Sequence, residues 1–158
     1  MIKGILFDKD GTLIDFSLWR NAGINVIQTI MIEYNLNDDK LNTELQRAIG
    51  IKEKGVEPFG ALAYGSHEDV AYGLHTVISK HINIDFDEFE KHVVDLMRKE
   101  VLRDDVEFRE IVSIRSLYEY LKSNNIKMGM ATSDSKQSVM HMINKLKLHD
   151  CFDFIGSH

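Results

Sequence analysis

Two aspartates spaced two apart, Asp8 and Asp10, close an apolar run near the start of the chain: Gly4-Ile5-Leu6-Phe7-Asp8-Lys9-Asp10-Gly11-Thr12-Leu13. Successive strand residues alternate faces, so two acids at this spacing point the same way. A strand's carboxyl end is also where open α/β sheets gather their ligands. Two like charges held together need a cation beside them, or one must keep its proton. That is the electrostatic problem of a Mg²⁺-dependent phosphoryl-transfer site. The alternative is an edge strand that runs into a solvated acidic turn. It is the common meaning of an isolated D-x-D, and it explains less well an apolar strand followed by D-x-D-G-T.

The positioning elements follow from periodicity. Residues 16–34 carry Leu18, Ala22, Val26, Ile30 and Tyr34 at helical spacing, widened by Trp19 and Ile27. Asn37 or Asp38 can cap a second helix, with Leu41, Leu45 and Ala48 inward and Gly50 as its stop. A loop with Gly55, Pro58, Gly60 and Gly65 comes next. Ser66 with Asp69, then Asp85 with Glu88, read as capping boxes opening two further helices. Four helices thus precede any second strand. Beyond Val106 a helix is expected over residues 109–123, carrying Ile111, Ile114, Leu117 and Leu121. A buried strand follows over residues 126–131, then a helix with Val139, Met142, Ile143 and Leu146, and a third strand from Phe152.

At the end of that second strand, Thr132-Ser133-Asp134-Ser135 offers a hydroxyl and the N–H groups of a turn and helix start, which can cradle phosphate oxygens. The same four residues are equally an N-cap sequence. Lys9 and Arg20 lie close to the acids in sequence and could contact an anion, although surface cations usually do nothing specific.

The hexapeptide Asp8 to Leu13 resembles the first motif of the haloacid dehalogenase-like (HAD) hydrolase superfamily, D-x-D-G-T in its phosphatase branch. The resemblance implies that Asp8 is the nucleophile, forming an aspartyl-phosphate, and that Asp10 is the general acid/base. It implies Mg²⁺ held by the Asp8 side chain, the Asp10 backbone carbonyl and an acid from a later motif. Thr132 then matches the second motif, a hydrophobic strand ending in Thr or Ser. Gly11, Thr132 and Ser133 become the substrate-binding residues, Ser133 through its backbone N–H. The implied fold is α/β: the front half of a Rossmann-like parallel sheet in residues 1–15 and 105–158, with an α-helical cap inserted over residues 16–104. The third-motif lysine and the fourth-motif acids should lie beyond Ile155 and are absent; Lys136, Lys145 and Lys147 do not replace that lysine. With Asp8 and Asp10 as the only site acids, Mg²⁺ would have one carboxylate, one carbonyl and waters.

The expected activity is hydrolysis of a small phosphorylated metabolite, by a chain that is the front part of a longer protein. The cap loop over residues 57–66 resembles a segment of phosphoglycolate phosphatase-like members. It reads either as a substrate-facing loop or as a plain connection between helices. A mutase uses the same intermediate. A haloacid dehalogenase has no leaving oxygen for Asp10 to protonate. A non-catalytic fragment or interaction protein is the reading from another class. In the family sheet the first strand is central, so here one apolar edge would stay bare, a template for self-association.

Composition bounds these readings. A chain of 158 residues with net charge −6 has no broad basic surface, so neither nucleic acid nor an anionic membrane is an expected partner. No apolar run approaches a membrane span. The single cysteine, Cys151, excludes an internal disulfide and suits a reducing, cytoplasmic setting. The seven histidines show no metal-ligand spacing.

Overall fold

The computed structural model describes residues 2–157. In chain order the elements are β1 (Gly4–Asp8), α1 (Ser17–Glu33), α2 (Asp39–Ala48), α3 (Ala61–Tyr64), α4 (His67–Ile78), α5 (Phe86–Val101), α6 (Ile114–Ser123), β2 (Lys127–Ala131), α7 (Lys136–Leu146) and β3 (Phe154–Gly156). The chain divides into two compact units, one of Met1–Asp15 with Glu107–His158 and one of Phe16–Val106. No helix among the described residues is long and apolar enough to cross a membrane.

The first unit is α/β. Its three strands are all parallel in the order β1-β2-β3. Parallel neighbours need a crossover between them, and here the inserted helical unit and α6 separate β1 from β2, and α7 separates β2 from β3. The register sets Leu6 beside Gly129 and Gly129 beside Phe154. A Cβ at Gly129 would sit 2.9 Å from Leu6 Cδ1, so the two side chains would compete for the same space on that face. Met128 and Met130 are fully buried, and α6 packs against β2. On the opposite face Leu6 and Phe154 are each 59% exposed.

The helix expected from residue 109 begins five residues later, at Ile114. The intervening chain is claimed by the segment after the acidic turn: Ile111 N–H donates to the Leu13 carbonyl and Asp15 N–H to the Arg109 carbonyl, both at 2.9 Å. Glu110 forms an antiparallel bridge with Ile14. Glu110 also reaches forward to accept from Ile114 N–H at 2.8 Å, and Ser113 caps the helix by accepting from Ser116 N–H. Ile111 is therefore exposed rather than an inward helical residue. Asn124 ends α6 and Asn125 takes the left-handed conformation.

The second unit is helical. Asp38 caps α2, and Ser66 with Asp69 forms the reciprocal capping box of α4. Asp85 accepts from Glu88 N–H at the start of α5. The most extensive packing joins α4 to α5 and α1 to α5, with Ile30, Leu74, Ile78, Phe89, Val93 and Met97 wholly or almost wholly buried. The loop after Gly50 is shorter than expected, since residues 61–64 wind into α3.

Candidate active site

Asp8 is the last residue of β1 and pairs in register with Ala131, the last of β2. Asp8 and Thr132 therefore emerge at the carboxyl ends of adjacent parallel strands, where α/β sheets place ligands. Thr132 is held at that level by its N–H, which donates to the Gly156 carbonyl of β3 at 3.0 Å. Asp8 is exposed, Thr132 half-buried and Ser133 exposed.

The turn after Asp8 is tight. Leu13 N–H and Ile14 N–H both donate to the Lys9 carbonyl, at 3.0 and 2.9 Å. Gly11 sits at φ 83°, a left-handed conformation that side chains disfavour, and its N–H donates to the Ile14 carbonyl at 2.6 Å. Gly11 thus shapes the turn, and its own N–H is committed there rather than to an anion.

Lys9 departs furthest from its sequence reading. It is no surface cation: its side chain is 0% exposed. Its Nζ lies 2.8 Å from both carboxylate oxygens of Asp10 and 3.0 Å from Asp134 Oδ2. Asp134 is in turn held from three sides. Its Oδ2 also accepts from Ser138 Oγ at 2.8 Å, its Oδ1 accepts from Ser135 N–H at 3.1 Å, and its N–H donates to Thr132 Oγ1 at 3.2 Å. That last bond occupies a lone pair of the Thr132 hydroxyl and leaves its proton as a donor. Sequence reasoning missed Asp134 and Ser138 as parts of the site. The i, i+4 spacing of an acid and a hydroxyl at a helix start was the signal available.

The donors suit a hard, water-retaining cation in part. Asp8 offers an exposed carboxylate, while both Asp10 oxygens lie against Lys9, which leaves the Asp10 backbone carbonyl as that residue's contribution. No group of three His, Cys, Asp or Glu side chains able to hold a metal occurs among the described residues. Elsewhere, Arg20 donates to the carbonyls of Lys52 and Glu53 within the helical unit. In the loop over residues 57–66, Phe59 and Tyr64 are both exposed, with ring centroids 6.4 Å apart and edge-on. Cys151 is buried, and burial pushes its thiol above the usual value, the reverse of an activated nucleophile.

The parallel sheet thus sets D-x-D-G-T at the end of β1 beside a threonine that follows β2, at one end of an α/β core. The sequence matches the haloacid dehalogenase-like hydrolase family over residues 2–158, and the chain belongs to that family. No curated protein matches it. Among solved structures it is similar to a protein assigned as a β-phosphoglucomutase from Thermotoga maritima, with 21% identity, TM-score 0.59, and coverage of 99% of this chain and 61% of that one. A predicted phosphoglycolate phosphatase from Haemophilus somnus shares 15% identity at TM-score 0.60, over 99% of this chain and 62% of that one. L-2-haloacid dehalogenase from Xanthobacter autotrophicus shares 17% at TM-score 0.52, over 99% and 57%. At these identities the likeness is one of fold. The chain spans about three fifths of the length of these relatives.

Proposed function

We propose that this chain carries the nucleophile half of a Mg²⁺-dependent phosphatase acting on a small phosphorylated metabolite in the cytoplasm. The observation that carries the proposal is the placement of Asp8 level with Ala131 and Thr132, so that one exposed carboxylate and one hydroxyl donor share the end of the sheet.

An Asp8 oxygen attacks phosphorus in line and the ester P–O bond breaks. The departing oxygen takes the proton of the Asp10 carboxyl group. In the second half Asp10, now a carboxylate, removes a proton from water as the water oxygen attacks phosphorus. The bond between phosphorus and Asp8 breaks, inorganic phosphate leaves, and both aspartates return to their starting states. Splitting one hard step into two is covalent catalysis. The Thr132 hydroxyl and the Ser133 N–H donate to the phosphoryl oxygens where charge is spread. The Asp8 carboxylate and the Asp10 backbone carbonyl would hold Mg²⁺, which would supply charge neutralisation there. A mutase differs only in the acceptor, a sugar hydroxyl instead of water. The similarity to the protein assigned as a β-phosphoglucomutase keeps that as the second reading.

The test is Mg²⁺-dependent release of phosphate from a generic aryl phosphate, for this chain and for any longer product of its gene. Asp8→Asn abolishes turnover, since an amide cannot form the acyl-phosphate. Asp10→Asn slows it by roughly 10²–10⁴, the usual scale for losing a general acid/base. Near wild-type turnover in the Asp8→Asn protein would remove the covalent mechanism. A chain that folds but shows no turnover in either form points to the non-catalytic reading.

A further inference from the structure

We propose that Lys9 is a positioning residue: its buried ammonium ties the turn bearing Asp8 and Asp10 to the turn bearing Thr132 and Ser133, and fixes the acid/base carboxylate against the phosphate cradle. Its consequence for catalysis rests on the phosphoryl-transfer reading; the tie itself does not.

A lysine ammonium has three protons to donate and no acceptor of its own, so burial is tolerable only against good oxygen partners. Lys9 meets that demand with residues from both turns, Asp10 at 2.8 Å and Asp134 Oδ2 at 3.0 Å. Asp134 passes the constraint on. Its carboxylate holds Ser135 N–H and Ser138 Oγ at the start of α7, and its own N–H orients the Thr132 hydroxyl. The connection therefore runs Asp10, Lys9, Asp134, Thr132, every link a charge-assisted or hydrogen-bonded contact of 3.2 Å or less. Asp8, the nucleophile, lies outside it and stays exposed. A cation that served folding alone could be replaced, together with its partners, by neutral groups at little cost. A cation that positions the two turns could not.

Two variants separate these roles. Lys9→Met removes the ammonium. Asp134→Asn keeps the shape at residue 134 and remains usable if Lys9→Met, which leaves two carboxylates facing each other, fails to fold. In the full chain labelled with ¹⁵N, the Lys9 ammonium gives a slowly exchanging signal that Lys9→Met deletes and Asp134→Asn shifts. The amide resonances of residues 132–135 move in Lys9→Met. In the turnover assay kcat falls by about 10², the scale of a small misplacement of reacting groups, while KM changes by less than about threefold. The double variant is no slower than the slower single one, because the two residues act as a unit.

The proposal is overturned if the Lys9→Met shifts stay within residues 8–14, if no protected ammonium signal exists, or if kcat in both variants is within twofold of the unaltered protein. Failure of the phosphatase reading looks different. Turnover is then absent or survives Asp8→Asn, and the resonance measurements still decide the tie.

Discussion

The helical unit closes its own core, whereas the sheet unit covers one face and leaves the other bare. Leu74, Ile78, Val93 and Met97 are 0% exposed between α4, α5 and their neighbours, while Leu6 and Phe154, flanking Gly129 across the sheet, are each 59% exposed. The difference is one of architecture. Helices pack through apolar stripes that complete one another, here α4 and α1 each against α5. A parallel sheet offers two apolar faces and is ordinarily covered on both. Here α6 packs on β2 and Met128 and Met130 are sequestered, but nothing among the described residues buries Leu6 or Phe154 comparably.

The largest effect on stability should fall in the helical unit. Phe89→Ala empties a site 1% exposed, and costs about 3–5 kcal/mol in urea denaturation, the range for truncating a core phenylalanine. Leu6→Ala removes more surface than packing and should stay within about 0.5 kcal/mol. Equal losses would break the comparison, because they would mean that the Leu6 face is covered in solution.

Covering by a second copy is the form we propose. Among the described residues β1 has one strand neighbour, so its other edge is open to a further strand, the kind of edge that templates association. Sedimentation of the 158-residue chain should show a dimer that grows with concentration, and Leu6→Lys should return it to the monomer. A monomer at all concentrations, with Leu6→Lys indistinguishable, would leave the face bare and end the idea of self-association.

The same contrast explains what could be read from the sequence. In the helical unit the information is local: Asp38, Ser66 with Asp69, and Asp85 lie within three residues of the N–H groups they satisfy. In the sheet unit the strands were legible as apolar runs, and the alignment of Asp8 with Thr132 followed from their both ending parallel strands. Two features were not legible, and both depend on residues far apart in the chain. The stretch over residues 109–111 has helical periodicity, yet its hydrogen bonds go to residues 13–15. Lys9 looks like any charged turn residue until Asp134, at the start of α7, is brought to 3.0 Å from it. Tertiary pairing overrode local preference in the first case and reversed expected exposure in the second.

A smaller effect sharpens the claim that the helical unit is locally determined. Ser66→Ala removes the acceptor for Asp69 N–H at 3.2 Å and the donor to Asp69 Oδ2 at 3.1 Å. It should cost about 1 kcal/mol. Ser66→Asp, which restores an acceptor, should recover most of it. Loss of the whole helical unit from Ser66→Ala alone would show a cooperativity that the local reading does not contain.

The smallest effect belongs to the sheet unit's exposed counterpart of the Lys9 tie. Arg115, near the start of α6, donates to both oxygens of Asp150, at 2.9 and 3.2 Å, and to the Lys147 carbonyl at 2.7 Å. The Arg115 hydrogen bonds hold the Asp150 carboxyl down at about 2, from an ordinary 3.8. Because the folded value lies below the unfolded one, the pair's contribution to stability is complete above about pH 4, declines as pH falls, and is gone once pH passes below about 2. Both side chains are open to water, so solvent screens most of the attraction. Asp150→Asn should shift the urea midpoint at pH 7 by less than Ser66→Ala does, with the Arg115 bond to Lys147 left intact. Between pH 4 and pH 2 the gap between Asp150→Asn and the unaltered chain should close. An Asp150→Asn loss as large as that of Asp134→Asn would mean that burial is not what separates the two ion pairs, and that the closing of the α6–α7 corner matters as much as the tie beneath Asp10.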